Sequence, residues 1–396
     1  MHDFRSPDFL RRHIRSILEF YHPRCIDNVH GGYINQLRDD GSVFDRTTKH
    51  LVGTCRFIFN YAVGYRLFSD PRYRAALEHG LAFLQAYHRD ADRGGYHWVL
   101  DLQRPSDSTR HCYGHAFVLL AFAAAQQAGV ESQREINETF ELLEARFWRD
   151  EDGLYVDEIS ADWQTVSPYR GQNANMHMCE AILSAFEATG EERFLDRAYL
   201  LAERVCKGLA GQADGMLWEH YDSNWRIDWD YNRNDPKNLF RTYGFVMGHF
   251  TEWSKLLVIL ERYRPEAWLL PRAEELFRAA VERSWDATKG GMIYTLKPEG
   301  GPLDTDRYYW VLAETIAAAA VLAERVKDES YWEWYDKLWS WSWAHLVDTE
   351  RGGWYRVLDD QGQRYDDLKS PPSKTDYHPL GACYEILRSR NHDAKY

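Results

Sequence analysis

Two kinds of helical segment alternate along the chain. In "PRYRAALEHGLAFLQAYH" (71–88), "ERFLDRAYLLAERVCKGL" (192–209), "PEAWLLPRAEELFRAAVERSW" (265–285) and "ESYWEWYDKLWSWSWAHL" (329–346), apolar residues recur at i, i+3, i+4 and i+7. That stripe predicts helices with one face in a core and one in water. A second set is apolar on nearly every side: "CYGHAFVLLAFAAAQQ" (112–127), "NANMHMCEAILSAFEATG" (173–190), "YGFVMGHFTEWSKLLVIL" (243–260) and "YYWVLAETIAAAAVLAERV" (308–326). Helices of this kind are buried.

Between them runs a repeat. "HGGYINQL" at 30, "RGGYHWVLD" at 93, "EDGLYVDEI" at 151, "ADGMLWEHYD" at 213, "KGGMIYTL" at 289 and "RGGWYRVLDD" at 351 each place glycine before a short aromatic, strand-like segment. Aligned on Gly32, Gly95, Gly153, Gly215, Gly291 and Gly353, the steps are 63, 58, 62, 76 and 62 residues. Six units of one amphipathic and one buried helix predict an all-α fold, an (α/α)6 barrel with short β-hairpins at one rim. An open superhelix is the alternative, but its repeats usually run ~20–50 residues and propagate without a fixed number. Nothing resembling a linker or low-complexity tract divides the sequence, so residues 1–396 are expected to form a single catalytic domain.

The stretch "GQNANMHMCEA" (171–181) sets the chemical question, because a helix that is buried all round carries Asn173, His177 and Glu180. A polar group facing a barrel cavity is costly unless it is used. The other buried helices repeat the feature: Arg56 in "KHLVGTCRFIFNYA", Tyr113 and His115 in "CYGHAF", His249 and Glu252 in "GHFTEW", Trp310 and Glu314 in "WVLAE", and His378 in "DYHPLGACYEI". His177 with Glu180 and His249 with Glu252 share the i, i+3 spacing that brings side chains together on a helix. A carboxylate beside an imidazole selects its tautomer and stabilises the imidazolium, which suits general acid/base work. Bland readings stand beside these. His115 could equally bond a backbone carbonyl, Arg56 could neutralise a buried carboxylate, and Trp310 could be packing alone.

Composition narrows the classes. A net charge of -13 argues against nucleic acid and anionic membranes. No apolar run reaches membrane-spanning length and the start lacks a signal-peptide core, so the expected location is the cytoplasm. Six scattered cysteines without a C-x-x-C pair read as buried thiols. Aromatic residues make up 15% of the chain, enough to wall a sugar pocket as well as fill a core. There is no H-E-x-x-H, no G-x-S-x-G and no phosphate-binding loop, so neither a metal nor another cofactor is expected, and proton transfer is the chemistry that remains.

At these residues the sequence resembles the N-acylglucosamine 2-epimerase superfamily over nearly its whole length. "YRGQNANMHMCEA", "EHYDSNWRIDWDYNRNDPKNLFRTYGFVMGHFTEW" and "DYHPLGACYE" bring it nearest to the aldose–ketose isomerase branch. The resemblance implies metal-independent proton movement between C1 and C2 of a free sugar. His249 and His378 would be the acid/base pair, with Glu252 supporting His249. Arg56, Asn173, His177, Trp310 and Glu314 would hold the open-chain sugar, with Glu180, Tyr113 and His115 beside them. The chain departs from the isomerases of sulfonated sugars: Val52 replaces a tryptophan, and Arg356 and Lys374 stand in place of glutamines, where they are expected to meet the substrate. The expected reaction is therefore on an unmodified hexose, mannose to fructose, with lyxose as a smaller substrate, by a monomer or homodimer. A 2-epimerase is the near alternative. A glycoside hydrolase, which would need two opposed carboxyls, and a non-catalytic sugar-binding module are the distant ones.

Overall fold

The computed structural model describes residues 2–390. Among the described residues there are twelve α-helices: α1 (Pro7–Tyr21), α2 (Leu51–Phe68), α3 (Pro71–Phe83), α4 (Cys112–Gln127), α5 (Gln133–Arg146), α6 (Gln172–Thr189), α7 (Glu192–Glu203), α8 (Met247–Tyr263), α9 (Leu269–Ser284), α10 (Tyr309–Val326), α11 (Glu329–His345) and α12 (Tyr377–Arg390). Local signals set several ends. Asp70 accepts the Arg72 N–H at 2.9 Å ahead of Pro71, the first residue of α3. Gly190, at φ 73°, stops α6 in the left-handed conformation that glycine adopts without penalty.

The two hydrophobic patterns become two environments. On α3 the buried residues are Tyr73, Ala76, Leu77, Gly80, Leu81 and Phe83, the first five in one stripe. Burial is continuous from Gly114 to Ala125 on α4, from Met247 to Glu261 on α8 and from Val311 to Ala323 on α10. Six buried helices alternating with six amphipathic ones make this an all-α fold of the (α/α)6-barrel class.

The chain divides into two compact units. One consists of Leu18–Leu201 with Leu368–Tyr377; there α4 packs between α2 and α6, while α3 backs α2 and α5 backs α4. The other consists of Ala202–Asp367 with the described parts of Met1–Ile17 and His378–Tyr396. In it α8 packs against α9 and α10, and α10 against α11. Ala313 and Ala317 of α10 cluster with Ala382 of α12, small residues that allow close approach.

Short antiparallel strands precede the buried helices. Residues 48–50, leading into α2, pair with 99–101; 110–111, leading into α4, pair with 158–159. Residues 245–246, leading into α8, pair with 295–296, and 307–308, leading into α10, pair with 357–358. Four of the glycine turns, those ending at Gly32, Gly95, Gly291 and Gly353, share a device that the sequence reading did not isolate, Asp-x-x-x-Gly-Gly. Asp27 Oδ1 accepts the N–H groups of Val29 and His30 at 3.0 and 2.9 Å, while Gly31 N–H bonds Asp27 O and Asp27 N–H bonds Gly32 O, both at 3.0 Å. Asp90, Asp286 and Asp348 repeat this pattern. The second oxygen meets a cation on a strand that leads into a buried helix: Lys49 on Asp27 at 2.6 Å, Arg110 on Asp90, and Arg307 on Asp286 at 2.6 Å. These three turns are thereby tied to the starts of α2, α4 and α10.

Candidate active site

In the unit that contains α8, α10 and α12, the polar residues gather within the first two turns of these helices. His249 is the third residue of α8, Trp310 the second and Glu314 the sixth of α10, and His378 the second of α12. All but Trp310 are buried, with His249 8% and His378 6% exposed. The Trp310 ring lies 5.2 Å from the His249 ring and 5.6 Å from that of His378, tilted by 38° and 39°. Gly248 makes room for it. A Cβ at Gly248 would stand 2.6 Å from Trp310 Cη2 and closer still to Cζ3.

Each histidine has a carboxylate on Nδ1. His249 Nδ1 is 2.9 Å from Glu219 Oε1, and His378 Nδ1 is 2.7 Å from Glu314 Oε1. The other oxygen of Glu314 accepts from Lys255 Nζ at 2.6 Å. An ionised carboxylate only accepts, so Nδ1 carries the proton and Nε2 becomes the nitrogen that can exchange one with a ligand. Glu252, expected to support His249, is buried on the same helix, and the carboxylate on His249 Nδ1 comes from Glu219. Glu314, expected to meet the sugar, holds His378 on one oxygen and Lys255 on the other.

The other unit holds a second polar cluster, on α2, α4 and α6. His177 Nδ1 bonds Glu180 Oε2 at 2.9 Å, realising the i, i+3 spacing, so Glu180 orients an imidazole. Tyr113 meets the His177 ring edge-on at 5.0 Å and Phe117 lies 4.9 Å from it. The Arg56 guanidinium packs 4.5 Å over Phe117 and 5.0 Å over Tyr377, and donates to Tyr113 Oη at 3.1 Å and to Ser373 O at 2.6 Å. Among the described residues, Asn173 Oδ1 is buried with no hydrogen-bond partner, the condition of an acceptor that a ligand hydroxyl would satisfy.

Three residues expected to meet the substrate are found in other contacts. His115 donates from Nδ1 to His111 O at 2.8 Å and accepts the Tyr96 N–H on Nε2 at 3.2 Å, so both nitrogens hold backbone. Burial pushes its pKa down to about 3, and it is a neutral fold residue. Lys374 is buried in an ion pair with Asp376, and desolvation, opposed by that carboxylate, brings its pKa down to about 8. Arg356 is part-exposed and pairs with Asp366 at 2.8 Å. Two residues escaped the sequence reading. Glu219 was hidden in a segment read as a glycine-turn strand, and Lys255 in an apolar run where it is the lone lysine or arginine between 243 and 260. A cation in such a run is the signal that could have found it.

Glu252, Glu314 and His378 bring donor atoms within 4.8 Å of one another, as a metal site would. The Lys255 ammonium on Glu314 already brings positive charge to this cluster.

Paired imidazoles, each held by a carboxylate beside an aromatic wall on an (α/α)6 scaffold, define a sugar isomerase, and the chain belongs to the N-acylglucosamine 2-epimerase (GlcNAc 2-epimerase) family, which its residues 32–382 match. It is 50% identical to D-mannose isomerase of Marinomonas mediterranea over 388 residues, 98% of each chain. A crystal structure of D-mannose isomerase, also 50% identical, superposes with a TM-score of 0.96 over 98% of this chain and 99% of the other. The structure of cellobiose 2-epimerase from Bacillus thermoamylovorans B4167 shares the fold at a TM-score of 0.85 with 21% identity, over 96% and 99% of the two chains.

Proposed function

We propose that this protein interconverts D-mannose and D-fructose, and D-lyxose and D-xylulose as smaller substrates, through a cis-enediol intermediate. The observation that carries the reading is the pair of imidazoles, His249 on Glu219 and His378 on Glu314, with Trp310 between them. The high identity to named D-mannose isomerases supports the choice of sugar. In the open-chain aldose, the proton on C2 is acidified by the neighbouring aldehyde. One imidazole Nε2 removes it while O1 gains a proton, giving the enediol; return of the proton to C1, with loss of the O2 proton, completes the ketose. Hydrogen-bond donors near O1 and O2 stabilise the charge that develops on the way. We assign Arg56, Asn173 and His177 to holding sugar oxygens, and Trp310 to packing on the C–H face of the chain.

The test is proton NMR of mannose incubated in heavy water with chelator-treated protein. Fructose as first product, deuterated at C1 or carrying the C2 proton internally, is the expected outcome. Glucose labelled at C2 as first product would make the enzyme an epimerase, and absence of mannose turnover would remove the reading. His249→Ala and His378→Ala should each lower kcat by at least ~10²-fold, the scale of a lost general acid or base, with melting temperatures near that of the parent. Near-normal rates in both variants would overturn the assignment.

A further inference from the structure

We infer that Lys255 is a positioning residue for the reaction, acting on His378 through Glu314: its ammonium holds Glu314 ionised and keeps His378 a neutral base at working pH. The inference deepens the proposed isomerase reading and rests on it. Lys255 is 7% exposed and lies on α8, six residues after His249 and immediately before the apolar run Leu256–Leu260. Taking an ammonium out of water costs several kcal/mol unless a carboxylate compensates it. The compensation is Glu314, whose Oε2 takes Lys255 Nζ at 2.6 Å while Oε1 takes His378 Nδ1 at 2.7 Å. One carboxylate is thus shared by an ammonium and an imidazole.

The shared geometry has two consequences. A Glu314 held as carboxylate can only accept, so His378 keeps its proton on Nδ1 and its lone pair on Nε2, the tautomer required of a base. The ammonium also offsets part of the negative charge that would otherwise stabilise an imidazolium, so the acidity of His378 reflects the Lys255–Glu314 pair. The other groups facing this network within the unit are Glu252 of α8, whose donor atom lies within 4.8 Å of those of Glu314 and His378, the ring of Tyr309, 6.2 Å from that of His378, and His249 across Trp310. On α12 itself, Glu385 is held below the usual carboxylate range; burial works to raise it, but Arg388, Arg262 and Lys255 outweigh that. The field of the Lys255 ammonium thus reaches α12 at a second carboxylate.

The experiment compares Lys255→Met, Lys255→Gln and Lys255→Arg with the parent in mannose–fructose interconversion from pH 5 to 9, with melting curves to confirm folding. The acid limb of kcat/KM reports the base of the free enzyme. Loss of the ammonium leaves Glu314 to stabilise the imidazolium alone. In Met and Gln variants the limb should therefore move to higher pH by about one unit, with kcat at neutral pH reduced at least ~10-fold and KM little changed. Lys255→Arg should return the limb toward its parental position. In a Glu314→Gln background, Lys255→Met should produce no further displacement. A limb that stays in place in whichever of the Met and Gln variants folds overturns the inference. So does an effect confined to KM, which would mean direct contact with sugar, or an undiminished displacement in the Glu314→Gln background. His378→Ala separates the two readings: if it remains active the isomerase assignment itself has failed, whereas an inactive His378→Ala with an unmoved limb in the Lys255 variants rejects only the role of Lys255.

Discussion

At the scale of single residues, Gly248 shows how closely the site is packed. An alanine there would drive its Cβ into Trp310 and to within 3.0 Å of Val311 Cγ2, so the indole must leave its place beside His249 and His378. Gly248→Ala is expected to lower kcat/KM at least ~10-fold while costing about 1–3 kcal/mol of stability, the usual scale of overpacking; steady-state kinetics with a denaturant curve checks both. His177 with Glu180 was legible because i, i+3 on one helix fixes the contact without tertiary knowledge. At His249 the rule does not name the carboxylate on Nδ1. Its ring nitrogen turned to a carboxylate thirty positions earlier in sequence, and no local spacing encodes that approach. His115 shows the converse, a histidine on a buried helix whose two nitrogens serve backbone groups and leave nothing for chemistry.

At the scale of elements, the Asp-x-x-x-Gly-Gly turn joins hairpin to helix. Lys49 is fully buried and its partner Asp27 nearly so, at 2.6 Å. Removing one member of such a pair strands the other charge in the interior, which costs about 3–5 kcal/mol. Asp27→Asn keeps an acceptor for Val29 and His30 but leaves the Lys49 ammonium uncompensated, so a loss of about 3 kcal/mol is expected in urea unfolding. The double variant Asp27→Asn, Lys49→Met should recover part of it, since no charge then remains buried; a double variant no better than the single one would show that the turn geometry matters more than the ion pair. The glycines of these turns were visible as a repeat. The aspartates were not singled out, because their role appears only when a side-chain oxygen is seen to cap two backbone N–H groups and a distant cation arrives on the other oxygen.

At the scale of the molecule, four interior histidines make stability depend on acidity. Burial lowers the pKa of His13, His50 and His115 to about 3 and that of His88 to about 4. In the unfolded chain each binds a proton near pH 6.5, while the folded chain resists doing so until the pH reaches these lower values. Stability is therefore flat above about pH 6.5 and falls as the pH descends from there toward 4, by on the order of 1–2 kcal/mol per histidine at pH 5. Thermal melts at pH 7.5 and 5.0 should show the drop, and His13→Gln, which keeps an acceptor for the Trp354 indole N–H, should make it shallower. An unchanged slope in that variant would remove His13 from the account. The six cysteines are all buried and none is in a disulfide, as their scatter through apolar segments led one to expect.

Sequence alone determined the class of fold, because a helix apolar on all sides can only be buried, a striped one can only face water on one side, and six glycine-marked units count themselves; the family was legible through the resemblance carried by strings such as "YRGQNANMHMCEA". It also determined which helices carry imidazoles, since His177, His249 and His378 stand at the starts of segments whose burial is readable from composition. What the tertiary structure decided is which charges meet. Glu219 reaches His249 from a hairpin, Lys255 and His378 meet on the two oxygens of Glu314 on a neighbouring helix, and Lys374 pairs with Asp376. Periodicity reports the direction in which a side chain points along its own element. The partner it finds there depends on the packing of elements distant in sequence, and electrostatics in a dry interior is set by those last few ångströms.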